Sequence, residues 1–423
     1  MGVVIVGGGQ AGLQAADSLR AGGYAGTIDI VADEPGTPYQ RPPLSKDYLV
    51  PGKDAAPLPL RGPGFLAAKD IVLHDGVAAV AIERGGRHVV LADGRRLGYD
   101  HLVLATGAAN RRLTCDGADL PGIHGLKTLP DAEALNAELP AARSVVVVGA
   151  GFIGLEFAAA ARSHGAEVTV LEFAPRPMGR ALTAVTADWF AASHARTGVR
   201  LRLNEGIERF EAGPDGRVAA AVSTAGERYA ADLVVVGIGV VPNDQLAAAA
   251  GLETANGIVV DETLRTSDPA VLAVGDCASF PSVHTGTRIR LESVQNATDQ
   301  GRHAAGTIMG STIMAGTNTG SPEAYRDLPW FWSAQGSLRL QIAGLSAPGD
   351  RTVVTGDPEA GKFSVLCYRD GLLAAVESVD QPGEHIAARK LLAAGRGPGP
   401  DEAAAEGFNL KAFARQVPVP AGR

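Results

Sequence analysis

Apolar residues run unbroken at positions 3–6 (Val-Val-Ile-Val) and again at 145–148 (four valines), and glycines follow each run at once. A short, wholly apolar run bounded by glycine fits a strand buried on both faces, as in a parallel sheet. A sheet with one wet face would alternate instead. After each run the spacing becomes helical, over about 11–21 and 154–164, and returns to strand at 27–31 and 167–171. Strand, helix and strand at this spacing predict a βαβ unit, and the chain has two.

The rest of the pattern is less regular. Residues 35–63 hold too many prolines for regular structure. A hairpin-like stretch covers 72–97, with Gly85-Gly86 and Asp93-Gly94 as turns, and a buried strand over 101–105 stops at Thr106-Gly107. Another hairpin-rich stretch leads to a strand at 233–236 and Gly237-Ile238-Gly239. After about 245 the chain is expected to rejoin its first domain through a strand at 271–274, ahead of Gly275-Asp276. Residues 310–322, rich in Gly, Ser and Thr, read as a connector. The last hundred residues show strand patterns at 338–342, 363–367 and 372–376, then one helical segment near 385–394 and a polar tail. The expectation is an α/β protein: two doubly wound Rossmann-type dinucleotide-binding domains (1–113 with 247–320, and 114–246) and a small α+β C-terminal domain (321–423).

Composition narrows the function. The 423 residues are 46% hydrophobic and 20% charged, ordinary for a globular chain, and suffice for two to three domains. A formal net charge of −8 argues against a nucleic-acid or anionic-membrane binder, which carries basic excess. No apolar run approaches the length of a bilayer span, and a strand beginning at Val3 leaves no room for a leader, so a cytoplasmic location is expected. Cys115, Cys277 and Cys367 lie far apart, which excludes a disulfide framework and a cysteine zinc site. No metal site is expected.

The glycines after the two apolar runs carry the chemistry. Gly7-Gly8-Gly9-Gln10-Ala11-Gly12 and Gly149-Ala150-Gly151-Phe152-Ile153-Gly154 both read G-x-G-x-x-G. The first glycine permits a tight turn, the second admits a pyrophosphate, and the third lets helix and strand pack closely. The helix N-terminus supplies amides and partial positive charge. Asp33 or Glu34 ends the first unit and Glu172 the second, where a carboxylate can accept from ribose hydroxyls. Glu172 would repel a 2′-phosphate and favour NADH, although Arg176 and Arg180 nearby could accept one. In a flavoprotein with two dinucleotides a turn such as Ala105-Thr106-Gly107 packs beside FAD, and the Asp276 carboxylate is expected to reach the ribityl chain, where it can accept from a hydroxyl. Glu292-Ser293-Val294 opens a helix, expected to reach Met309, whose N-terminal dipole would stabilise a reduced flavin.

The segment PYQRPPLSK (38–46), with GAGFIGLE (149–156), GIGVVPN (237–243), AVGDCA (273–278), RLESVQNA (290–297) and PWFWS (329–333), resembles the NADH-dependent ferredoxin reductases of cytochrome P-450 and ring-hydroxylating oxygenase systems. The similarity spans essentially the whole chain, in order. It implies a glutathione-reductase-like fold, FAD and NADH as cofactors, and a [2Fe–2S] ferredoxin as partner. It also implies that Ala11, Asp33, Arg41, Lys46, Val77, Asp276 and Val294 touch FAD, and that Gly151, Ile153, Glu156, Glu172 and Gly239 line the nicotinamide nucleotide. Lys46 and Glu156 would pair beside the reacting rings as the catalytic residues. Trp330 is either aromatic core or a neighbour of the flavin, with Trp332 on the same face of a strand and Phe331 on the other. Two positions depart from the family pattern: Lys127 stands for an arginine that would contact the cofactor, and Ala334 for an acid.

Competing readings make different demands. A disulfide reductase, NADH oxidase or peroxidase needs a thiol near the flavin, and 38–46 contains no cysteine. A rubredoxin reductase differs only in its partner. A DNA-binding flavoprotein resembling apoptosis-inducing factor sits badly with the acidic balance, and a cofactor-free binding module would be colourless. Docking of an acidic ferredoxin would draw on a local basic patch, for which Arg288, Arg290, Arg339 and Arg369 are candidates.

Overall fold

The computed structural model describes residues 2–53, 56–314 and 323–417. The chain divides into two compact units: Met1–Gln40 with Leu58–Ala109 and Val241–Pro329, and Arg41–Pro57 with Asn110–Val240 and Trp330–Arg423.

In the first unit, Gly2–Val6 is fully buried and pairs in parallel with Ile28–Val31 on one side and with Arg96–Leu104 on the other. Val72–His74 continues the sheet beyond Ile28–Val31, and Val271–Ala273 pairs in parallel with Leu102, Val103 and Leu104. The stretch 72–97 is therefore not one hairpin. Its first strand joins the parallel sheet as an edge, and only Ala79–Glu83, His88–Leu91 and the start of Arg96–Leu104 form an antiparallel meander. Periodicity cannot tell these apart, because a three-residue edge strand is too short to show a pairing preference. The helices Gln10–Ala21 and Val294–Met314 pack together, with Gly301 so close to the first that a Cβ would stand 2.6 Å from Ala11 O. The second helix passes the expected stop at Met309, so the connector cannot begin at 310. Residues 315–322 of that connector lie outside the described residues.

In the second unit, five parallel strands run in the order Val199–Leu203, Glu167–Glu172, Ser144–Val148, Leu233–Val236 and Ile123–His124. The helix Ala184–Arg196 connects the second strand of this βαβ unit to the third. It interrupts a stretch expected to be hairpins, and its N-cap is Thr183, whose hydroxyl accepts from Thr186 N. Residues 330–379 form a five-stranded antiparallel sheet, ordered Trp330–Gln335, Leu338–Gly344, Leu372–Val379, Lys362–Arg369 and Arg351–Asp357. The helix Pro382–Ala393 packs on this sheet through Ala387, Ala388 and Leu391. The supposed polar tail holds two short helices, Pro400–Ala403 and Leu410–Gln416, which bury Ala403, Leu410 and Ala414 in the same core. Three apolar anchors in mostly polar sequence are a weak pattern, and packing makes those helices.

Helix Ala184–Arg196 is tied to this sheet at both ends. Glu377, fully buried, accepts from Thr183 N and Thr183 Oγ1 at 2.7 Å each, and His194 Nε2 lies 2.7 Å from Gln335 Oε1. No helix among the described residues is long and apolar enough to cross a membrane.

Candidate functional site

Each unit carries one glycine turn, and the two turns have matching geometry. Gly7 (φ +119°) and Gly149 (φ +101°) adopt a backbone that side chains disfavour, and a Cβ would stand 2.1 Å from Ala105 O and 2.5 Å from Gly237 O. At the third glycines, a Cβ on Gly12 would meet Gly7 O at 2.0 Å, and one on Gly154 would meet Gly149 O at 2.1 Å. The second glycines differ. Around Gly9 nothing lies within 4 Å of the Cβ position, and at Gly151 only Gly237 O does, at 3.8 Å. Both are helix N-caps without a side-chain cap, and neither helix has an acid in its first turn. Each helix N-terminus thus lies beside open space and carries no side-chain cap, an arrangement that suits a dinucleotide pyrophosphate.

Around the first turn, Ala11 lies beside Gly275, whose amide donates to Gln300 Oε1 at 2.7 Å. Thr106 and Gly107 are fastened to Asn243 by three bonds, from Thr106 Oγ1 to its carbonyl (2.6 Å), from its side-chain amide to Thr106 O (2.8 Å), and from its N–H to Gly107 O (3.0 Å). Val77 is buried and donates to Ala32 O at 3.0 Å. Asp33 is exposed with Oδ1 on Glu34 N, while Glu34 is turned aside to accept the Tyr39 hydroxyl. Of the two acids, Asp33 presents its carboxylate outward. Asp276 sits in the 3-10 turn Gly275–Cys277, and its carbonyl accepts from Arg290 Nη1 at 3.0 Å. Glu292 pairs with Arg290 at 2.7 Å, and Ser293 Oγ accepts from Asn296 N at 3.1 Å in the first turn of the helix that Val294 begins.

Around the second turn, Glu172 accepts from Ala150 N at 2.6 Å and from Ala174 N at 2.9 Å, so its charge is fixed at the edge of the cradle. Phe152 packs edge to face on Phe331, Ile153 is 42% exposed, and Gly239 (φ +98°) lies near the Arg180 guanidinium. Arg41 Nη1 donates to Lys127 O at 3.0 Å, and Lys127 N donates to Asp131 Oδ2 at 3.0 Å. Both contacts use the backbone of position 127, so they survive the exchange of arginine for lysine.

Lys46 and Glu156 meet in this unit. Lys46 Nζ lies 2.7 Å from Glu156 Oε2 and 3.0 Å from Pro42 O, at the end of the rigid turn Pro42–Ser45. Glu156 is 3% exposed and also accepts from Ser45 Oγ (2.6 Å) and Ser333 Oγ (2.7 Å). A buried ion pair repays its desolvation only with such extra bonds. Ser45 and Ser333 belong to the segments that carry the family resemblance, yet sequence gave them no role, since a serine's partner is invisible until strands meet. Trp330 is half-buried against the C-terminal core, with the Arg389 guanidinium 4.0 Å from its ring centroid, Trp332 at 5.7 Å and His385 at 5.5 Å. Trp332 shares its face and Phe331 takes the other, as alternation requires.

All three cysteines are free, and burial pushes each thiol up in pKa. Among the described residues no group of His, Cys, Asp or Glu is placed to hold a metal. Two of the candidate docking arginines are neutralised locally, Arg290 by Glu292 and Arg369 by Asp350.

Residues 1–301 match the family model described as pyridine nucleotide-disulphide oxidoreductase, and residues 330–414 match the one described as reductase C-terminal. Rhodocoxin reductase of Rhodococcus erythropolis is 49% identical over 97% of this chain and 94% of its own length. Rubredoxin-NAD(+) reductase of Pseudomonas putida is 40% identical over 90% of this chain and 96% of its own. The crystal structure of the ferredoxin reductase for the CYP199A2 system from Rhodopseudomonas palustris superposes with a TM-score of 0.92 at 44% identity, covering 97% of this chain and 99% of that one. On this match and on the two open cradles, the chain belongs to the pyridine nucleotide-disulphide oxidoreductase family, in the ferredoxin-reductase group to which its sequence points.

Proposed function

We propose that this protein takes hydride from NADH onto FAD and passes electrons singly to a [2Fe–2S] ferredoxin that feeds a cytochrome P-450 or a ring-hydroxylating oxygenase. The observation that carries the reading is the duplicated cradle, two uncapped helix N-termini each facing the open side of a second glycine. The bound flavin supplies the conversion of a two-electron donation into one-electron transfers.

The residues divide the remaining work. Gly7, Gly9, Gly12, Ala11, Asp33, Val77, Ala105, Thr106, Gly107, Asp276 and Val294 are assigned to holding FAD. Gly149, Gly151, Phe152, Ile153, Gly154, Glu172 and Gly239 are assigned to NADH. Lys46 and Glu156 serve the reacting ends: the carboxylate is fixed by three donors and in turn fixes the ammonium, so neither must reorganise as charge moves. Lys127 contributes through its backbone to the placement of Arg41. Glu292 and Ser293 order the start of the helix at Val294, and Trp330 is assigned to shaping the partner's approach.

Glu172 sets the choice of nucleotide. Two like unit charges about 4 Å apart repel by roughly 4 kcal/mol at an effective dielectric near 20. Halved by salt, about 2 kcal/mol remains, a tens-fold preference for NADH over NADPH. The three unpaired thiols suit the reducing cytoplasm.

Anaerobic stopped-flow mixing tests the reading. NADH should bleach the visible absorbance of the yellow protein, and a [2Fe–2S] ferredoxin should restore it. A colourless protein, or one that NADH does not bleach, overturns the proposal. Faster restoration by a rubredoxin would place the protein with the rubredoxin reductases that it also resembles.

A further inference from the structure

A line of buried polar groups runs through the second unit from helix Ala184–Arg196 to Lys46. His194 Nε2 lies 2.7 Å from Gln335 Oε1, Gln335 Nε2 lies 3.2 Å from Ser333 Oγ, and Ser333 Oγ lies 2.7 Å from Glu156 Oε1. Glu156 Oε2 receives Ser45 Oγ and Lys46 Nζ. His194, Gln335, Ser333, Ser45 and Glu156 are each 3% exposed or less. We propose that Ser333, oriented by Gln335 and His194, is a positioning residue for the Lys46–Glu156 pair, so that the reductase C-terminal domain sets how the nicotinamide nucleotide is received.

The direction of the hydrogen bonds supports this. Burial lowers the His194 pKa and keeps the ring neutral, with one N–H. Gln335 Oε1 can only accept, so that N–H lies on Nε2, and His194 Nδ1 has no partner. The Gln335 amide has its oxygen toward His194 and its nitrogen toward Ser333 and toward Met178 Sδ, 3.3 Å away. Ser333 Oγ accepts from that amide, which leaves its own hydrogen to donate to Glu156. Every donor points toward the carboxylate. Ser333 and Gln335 stand two residues apart on strand Trp330–Gln335 and share a face, which brings both to the line.

The inference rests on the proposed role of the Lys46–Glu156 pair, and the experiment separates the two. In the flavin-loaded protein, Ser333→Ala, Ser333→Thr, Glu156→Gln and the Ser333→Ala/Glu156→Gln double variant are compared. Three quantities are read: the rate of anaerobic bleaching by NADH, the Kd for NAD+ by calorimetry, and Tm. Loss of a hydrogen bond to a charged group should slow bleaching about tenfold in Ser333→Ala and weaken NAD+ several-fold. Ser333→Thr should restore most of both, and the double variant should be no slower than Glu156→Gln. If Glu156→Gln is slow but Ser333→Ala stays within about twofold of wild type, or the two losses multiply, this inference fails and the pair's role stands. If Glu156→Gln matches wild type, the pair's role fails and takes this inference with it. Should Ser333→Ala not fold, Ser333→Cys is judged by the same criteria.

Discussion

Phe331 meets Phe152 edge to face, with ring centroids 4.6 Å apart and planes at 80°. Phe152 opens the helix behind the second glycine turn, and Phe331 comes from the first strand of the C-terminal sheet, so one aromatic pair links the cradle to that sheet. Such a pair is worth about 0.5–1.5 kcal/mol beyond its buried area. Phe331→Leu should keep the fold, lose about 1 kcal/mol in urea denaturation, and raise the KM for NADH several-fold while leaving flavin content unchanged. An unaltered KM would show that the pair serves stability alone.

The glycines should sort by position. Gly9→Ala and Gly151→Ala add a methyl to open space, so both variants should fold. Gly9→Ala should purify with much less FAD, and Gly151→Ala should keep its FAD and bind NAD+ at least tenfold more weakly. At Gly12 and Gly154 a methyl collides with backbone oxygen near 2 Å, and those variants should be poorly folded. Flavin absorbance per protein and NAD+ calorimetry distinguish the classes.

Glu172 is held by two backbone amides at the edge of the second cradle. Glu172→Gln keeps the size and removes the charge, and should raise kcat/KM for NADPH relative to NADH by about tenfold. An unchanged ratio in steady-state assays would mean that Glu172 does not govern the choice.

The thiols should be silent. Desolvation raises all three cysteines in pKa, and a thiol held protonated is a poor nucleophile. Replacing Cys115, Cys277 and Cys367 together by alanine should leave bleaching by NADH within about twofold of wild type, because the proposed hydride transfer calls on no thiol. Loss of bleaching in a folded triple variant would point instead to thiol chemistry.

His385 should make the protein acid-sensitive. It is 1% exposed beside Trp330, and burial first, then the Arg389 charge, lower its pKa from 6.5 to about 4. An unfolded chain takes up this proton near pH 6.5, and the native one only near pH 4. Its contribution is therefore intact above about 6.5, falls as pH drops toward 4, and then levels off. The difference amounts to at most about 3 kcal/mol. Urea midpoints at pH 7 and pH 5 should converge in His385→Leu relative to wild type. Equal pH sensitivity in both proteins would remove His385 as a cause.

The two βαβ units, their glycine turns and the acids after them were legible because each lies within some thirty residues and depends on local rules of burial, turn and helix start. Lys46 and Glu156 were reached only through the family resemblance, since 110 positions separate them. Helix Ala184–Arg196 and the last two helices escaped notice because their apolar anchors are sparse and the surfaces that reward them come from other strands. The sequence by itself determined which dinucleotide cradles this protein builds, because a glycine turn is specified by its own neighbours. Only the tertiary structure decided that Ser333, Gln335 and His194 converge on Glu156, because a buried hydrogen bond depends on where distant chains meet, and no local pattern records that.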